Sequence, residues 1–121
     1  MKKQVSFYEN KLNFEINPWN LHDALRKRDD VVVIDTRSQD AYGARHIPGA
    51  LNISHKEMTS LNTNHLDKEA LYVTYCDGVE SDAATRGALN MTRLGFRVKE
   101  LTGGLDQWVQ SGYTTDPGKS A

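Results

Sequence analysis

The chain has 121 residues, 15 basic and 16 acidic, with a formal net charge of −1. That length suits one domain over residues 1–121, because two cores of half the size would each be marginal. The near-neutral balance excludes the electrostatic footprint of a nucleic-acid binder or of a protein held on an anionic membrane. No apolar run approaches a membrane span. Met1-Lys2-Lys3-Gln4 is basic but no apolar stretch follows, so no secretory signal is read and the expected location is cytoplasmic. The single cysteine, Cys76, has no internal disulfide partner, which fits a reducing compartment.

In chain order, residues 1–17 read as an amino-terminal extension, with a turn or helix over Ser6–Leu12 and an edge strand over Asn13–Ile16. Asn17 as cap and Pro18 at the first position predict a helix over Pro18–Leu25. Arg26 to Asp30 is a solvated helix end and loop. Val31-Val32-Val33-Ile34 is a continuous β-branched run and Leu71-Tyr72-Val73-Thr74-Tyr75 a second strand candidate, and both read as parallel strands buried on two faces. Ala50–Ile53 and Arg97–Leu101 are shorter strands. Between the later strands, Ala84, Ala88, Leu89, Met91 and Leu94 define one face of a helix over Ala83–Leu94, with Gly95 as its stop. A last short helix spans Leu105–Gln110 and ends at Gly112. Trp19 and Trp108 are assigned to the core, and 114–121 to a frayed tail. Strands alternating with helices predict an open, mainly parallel five-stranded α/β sheet.

Ligands of such sheets bind beyond the carboxyl ends of the strands. Two ends therefore carry the chemistry: Asp35-Thr36-Arg37 and Cys76-Asp77-Gly78. The loop Cys76-Asp77-Gly78-Val79-Glu80-Ser81-Asp82 runs from a buried strand into a helix. A loop of this kind can turn backbone N–H groups inward, and these donors with the positive helix end favour a thiolate. A lone cysteine is commonly an inert core residue. A strand-end cysteine before a polar loop is instead expected to open onto the ligand crevice and to act as a nucleophile.

Four segments in order make the chain resemble the single-domain rhodanese family of sulfurtransferases. They are Val33-Ile34-Asp35-Thr36-Arg37; Ala41-Tyr42 with His46-Ile47-Pro48-Gly49-Ala50-Leu51-Asn52-Ile53; the Tyr75-Cys76 loop; and Leu101-Thr102-Gly103-Gly104-Leu105-Asp106-Gln107-Trp108 with Gly112-Tyr113. The amino-terminal segment from Tyr8 to Trp19 is similar to a bacterial branch of that family. In that branch a second loop cysteine is frequent, and Ser81 stands at its place here. The resemblance implies a rhodanese-like sheet with helices on both faces and sulfur carried as a persulfide of Cys76. No metal or organic cofactor is implied, because the enzyme itself is the carrier. The partners implied are a small sulfur donor and acceptor, or a persulfide-bearing protein. The loop amides of Asp77, Gly78, Val79, Glu80, Ser81 and Asp82 would cradle the terminal sulfur. Asp35 and Arg37 would support the loop through a charge pair or a backbone bond. His46 would organise the His-Ile-Pro-Gly turn rather than act as a base. Arg45, where the family usually has glycine, would meet either the site rim or solvent.

Gly103-Gly104 lets the last helix start close to the sheet and is not a dinucleotide fingerprint. His22, His55 and His65 are scattered, so no metal site is expected. A phosphatase or arsenate reductase of this fold would need an arginine six positions after the cysteine, and Asp82 stands there. A non-enzymatic interaction module or a thiol redox sensor are the remaining alternatives on the same fold. Many thiosulfate-using members carry basic residues in the loop, whereas this loop has three carboxylates, Asp77, Glu80 and Asp82. One inward carboxylate about 6 Å from a thiolate would oppose it by roughly 3 kcal/mol at an effective dielectric near 20. That exceeds the helix-end contribution of about 0.3–1 kcal/mol. The carboxylates are therefore expected to face solvent, with Asp82 capping the helix, and the acidic entrance to disfavour a dianionic donor.

Overall fold

The computed structural model describes residues 1–117. Its elements are α1 (Lys2–Phe14), β1 (Glu15–Ile16), α2 (Pro18–Arg26), β2 (Val31–Asp35), α3 (Gln39–Ala44), β3 (Leu51–Asn52), a 3-10 turn (His55–Glu57), α4 (Ser60–Thr63), β4 (Leu71–Tyr75), α5 (Ala83–Arg93), β5 (Arg97–Leu101) and α6 (Gly104–Gln110). The five strands form one parallel sheet in the order β1-β5-β4-β2-β3. Among the described residues no helix is long and apolar enough to cross a membrane.

The apolar runs of β2 and β4 serve two cores because successive side chains point to opposite faces. Val33, Val73 and Tyr75 pack on one face with Leu21 of α2, Ile47, and Leu105 and Trp108 of α6. Ile34 and Tyr72 pack on the other with Met58, Phe96 and Met91 of α5. Helix α2 starts as the sequence predicts, with Asn17 Oδ1 accepting from Asn20 N at 2.8 Å and Pro18 in the first turn.

Three expectations are corrected. Trp19 is 64% exposed, whereas Trp108 is buried. The inward stripe of α2 is Pro18 and Leu21, joined by half-buried Leu25, and Trp19 lies off it around the helix. In α5 the buried positions are Ala84, Gly87 and Met91, and Leu89 is exposed. Residues 114–116 are fastened rather than frayed: Trp108 Nε1 donates to Thr114 O at 2.9 Å, and His46 and Asp116 exchange backbone bonds of 2.9 Å. The rest of that predicted tail, 118–121, lies outside the described residues. Replacing Trp19 by alanine is expected to change unfolding free energy by no more than about 0.5 kcal/mol in urea titration, because it vacates little core. A larger loss would place the indole in a packed contact.

Helix α1 extends the predicted Ser6–Leu12 segment to 13 residues and buries none of them. Its carboxyl end leads directly into β1, the sheet edge beside β5.

Candidate active site

Cys76 follows β4 at the carboxyl end of the sheet, flanked by the amino ends of α5 and α6. It is 4% exposed, not open to solvent as its place in the sequence predicts. The loop folds back over it. Cys76 Sγ donates toward Gly78 O at 3.6 Å and Ser81 O at 3.5 Å, so carbonyls rather than amides meet the sulfur. Either carbonyl can accept from the S–H of a thiol at this position.

Helix α6 holds the base of the loop. The amides of Leu105 and Asp106 donate to Cys76 O and Asp77 O, both at 2.8 Å. Gly104 makes this approach possible. Its φ is +60°, and a Cβ there would sit 2.5 Å from Cys76 O. Gly78 lies against the Asp106 carboxylate, where a Cβ would be 2.6 Å from Oδ2. Asp106 is therefore a fourth carboxylate at this rim, beside Asp77 and Glu80 in the pocket formed by the loop. It belongs to another segment and is missed by reading the loop alone.

Asp35 and Arg37 form the buried support that joins loop, sheet and turn. Arg37 Nη2 meets Asp35 Oδ2 at 2.8 Å and Nε meets Oδ1 at 3.1 Å, with side-chain exposures of 8% and 0%. Tyr75 Oη donates to Asp35 Oδ2 at 2.6 Å and accepts from Ile47 N at 3.1 Å. Arg37 also donates to Arg45 O and, through Nη1, to Asp77 Oδ1 at 3.1 Å. Burial alone would weaken the Arg37 charge. Its bonds to Asp35 outweigh that and raise its pKa above the ordinary arginine value. Burial, then Asp35, pushes the Tyr75 phenol well above its usual range, so Tyr75 acts here as a neutral hydrogen-bonding group.

The remaining predicted residues separate into two kinds. His46 is buried, stacks on Tyr42 with 4.0 Å between ring centroids, and its Nδ1 lies 2.9 Å from Tyr42 O. It orders the turn. Arg45 contributes its carbonyl, while the residue is exposed. The loop carboxylates face outward: Asp77 is 67% and Asp82 69% exposed at the side chain. Val79 at the loop tip is exposed too. Asp82 occupies the cap position of α5 but makes no capping bond. Its φ of −97° and ψ of 7° are not the extended cap geometry, and its carboxylate pairs with Arg86 at 2.9 Å. Ser81 Oγ accepts from Ala83 N at 3.2 Å in its stead.

A small cavity of about 270 Å³ opens beside Cys76, bounded by the loop, the end of β5, and Lys11 and Glu15 from the amino-terminal segment. A buried cysteine at a strand end, held by a helix start and a buried ion pair and facing a cavity, can serve as a sulfur nucleophile shielded from bulk solvent.

These features define a class that comparison identifies. The chain belongs to the rhodanese-like domain family, whose model matches residues 19–111. It is 33% identical over 122 residues to the thiosulfate sulfurtransferase GlpE of Coxiella burnetii, covering 99% of each chain. Among solved structures it is similar to the BH2092 protein of Bacillus halodurans, with TM-score 0.88 and 33% identity over 95% of this chain and 85% of that one. It is also similar to a thiosulfate sulfurtransferase of Pseudomonas aeruginosa, with TM-score 0.72 and 29% identity over 89% of this chain and 20% of that one.

Proposed function

We propose that this protein is a sulfurtransferase that carries sulfane sulfur as a persulfide of Cys76. The donor is thiosulfate or a thiol or protein persulfide, and the acceptor is a small nucleophile. The observation that carries this reading is the placement of the one cysteine at the end of β4, beside a cavity, in a chain alignable over its length with a thiosulfate sulfurtransferase. In the first half-reaction the Cys76 thiolate attacks the outer sulfur of the donor. With thiosulfate the donor S–S bond breaks and sulfite leaves with the electron pair. In the second, the acceptor attacks the terminal sulfur, the new S–S bond breaks, and the electron pair returns to Cys76 Sγ. The sulfur is only transferred, so no external oxidant or reductant enters.

The test is intact mass after incubation with thiosulfate and, separately, with a cysteine-desulfurase system. A gain of one sulfur atom, discharged by cyanide, is expected. No gain from either donor would overturn the reading and favour a sensor or an interaction module.

The acidic rim sets a preference among donors. Arg86 offsets Asp82, Asp77 shares the Arg37 charge with the buried Asp35, and among the described residues Glu80 and Asp106 have no ion-pair partner. A dianion meets net negative charge there and is disfavoured. The double variant Asp77→Asn, Glu80→Gln is expected to raise kcat/KM for thiosulfate about fivefold at low salt, with the gain shrinking as ionic strength rises. Unchanged thiosulfate turnover would show that the rim does not act on the donor.

A further inference from the structure

The cavity beside Cys76 has a charged wall of its own, made by residues outside the loop. Lys11 of α1, Glu15 of β1, Thr85 of α5 and Glu100 of β5 line it together with Cys76. Glu15 and Glu100 are register partners on neighbouring parallel strands, so their side chains share one face of the sheet. Like charges placed side by side in this way repel. Lys11 Nζ answers one of them, at 2.9 and 3.0 Å from the two Glu15 oxygens. Among the described residues the Glu100 carboxylate receives only the Thr85 hydroxyl, which lies 2.8 and 2.7 Å from its two oxygens. Among the described residues no cation pairs with it. One hydroxyl proton leaves most of a carboxylate's accepting capacity free. The wall is thus one cation short, within the same small cavity as the sulfur carrier.

We infer that Glu100 is a specificity-determining residue for the acceptor half of the reaction, and that it selects a small thiol bearing an ammonium group. This rests on the reading of Cys76 as a persulfide carrier. The ammonium binds at Glu100 and the acceptor sulfur lies toward Cys76. The acceptor thiolate attacks the terminal sulfur of the Cys76 persulfide. The Cys76 S–S bond breaks, its electron pair stays on Sγ, and the acceptor departs as its own persulfide. The site is assembled by the amino-terminal segment, which brings Lys11 and Glu15 to a cavity otherwise built by the loop, α5 and β5.

The experiment loads full-length protein with sulfur and follows its discharge by three small thiols at equal thiolate concentration: cysteamine (cationic), 2-mercaptoethanol (neutral) and mercaptoacetate (anionic). Cyanide is the control. Cysteamine is expected to exceed 2-mercaptoethanol about fivefold in second-order rate, chiefly through a lower KM, with mercaptoacetate slowest. Glu100→Gln keeps a partner for Thr85 and removes the charge, and it is expected to bring the cysteamine advantage close to one. Should that variant fail to fold, the wild-type series at low and high salt carries the test, since the advantage must fall with ionic strength. Discharge by cyanide with a flat charge series, or an undiminished advantage in Glu100→Gln, overturns this inference and leaves the persulfide reading standing. Failure of any sulfur to load overturns both.

Discussion

Cys76→Ser is expected to yield a folded protein that accepts no sulfur from any donor. A serine hydroxyl can donate to Gly78 O or Ser81 O as the thiol does, so the loop retains an internal partner. The amides of Leu105 and Asp106 still clamp the carbonyls of residues 76 and 77, because those bonds do not involve the side chain. What is lost is the only thiol in the chain, since the sequence holds one cysteine. With no second thiol to substitute, sulfur transfer should fall by about 10³-fold or more, to the uncatalysed background. Intact mass and cyanide discharge, read beside a urea titration, check both halves of the statement. Sulfur gained by a folded Cys76→Ser protein would mean that the carrier is elsewhere.

The largest effect on stability is expected at the pair formed by Asp35 and Arg37. Asp35 is fully buried and Arg37 nearly so, and the guanidinium bridges Asp35, the Arg45 carbonyl and Asp77. Removing either partner leaves the other charge buried with its attraction gone. That costs about 3–5 kcal/mol, a large part of the stability of a domain this size. Asp35→Ala and Arg37→Ala should each lower unfolding free energy by that amount in urea. The double variant Asp35→Leu, Arg37→Met should recover a good share, because it removes both charges rather than orphaning one. A single-variant loss below about 1 kcal/mol would show that water reaches the pair. Arg37→Ala also releases Asp77, so loading of Cys76 in that variant reports whether this anchor shapes the loop.

The parts legible in the sequence share one property, that neighbours along the chain decide them. The strand Leu71–Tyr75 lies where its β-branched and aromatic residues predict, because a central parallel strand is buried on both faces. The Asn17-Pro18 start of α2 is equally local, being a side chain bonding an amide three residues on. Trp19 fails the same reasoning for a physical cause: bulk and hydrophobicity name a core candidate, but helix phase relative to Pro18 and Leu21 turns it to solvent. The candidate site divides likewise. Its proposed nucleophile, Cys76, and the loop are contiguous, and Asp35 and Arg37 stand together at a strand end.

The amino-acid sequence by itself determined the class of fold, the family and the residue expected to carry sulfur, because these rest on local periodicity and short motifs. Only the tertiary structure decided how that residue is held. It closed carbonyls over Cys76, set α6 against its peptide through Gly104, and brought Asp106 to the rim. It also set Lys11, Glu15 and Glu100 around one cavity, through the pairing of an edge strand with β5 from the far end of the chain. Charge and hydrogen bonding act over a few ångströms of space, and the side chains that meet there are many residues apart along the chain.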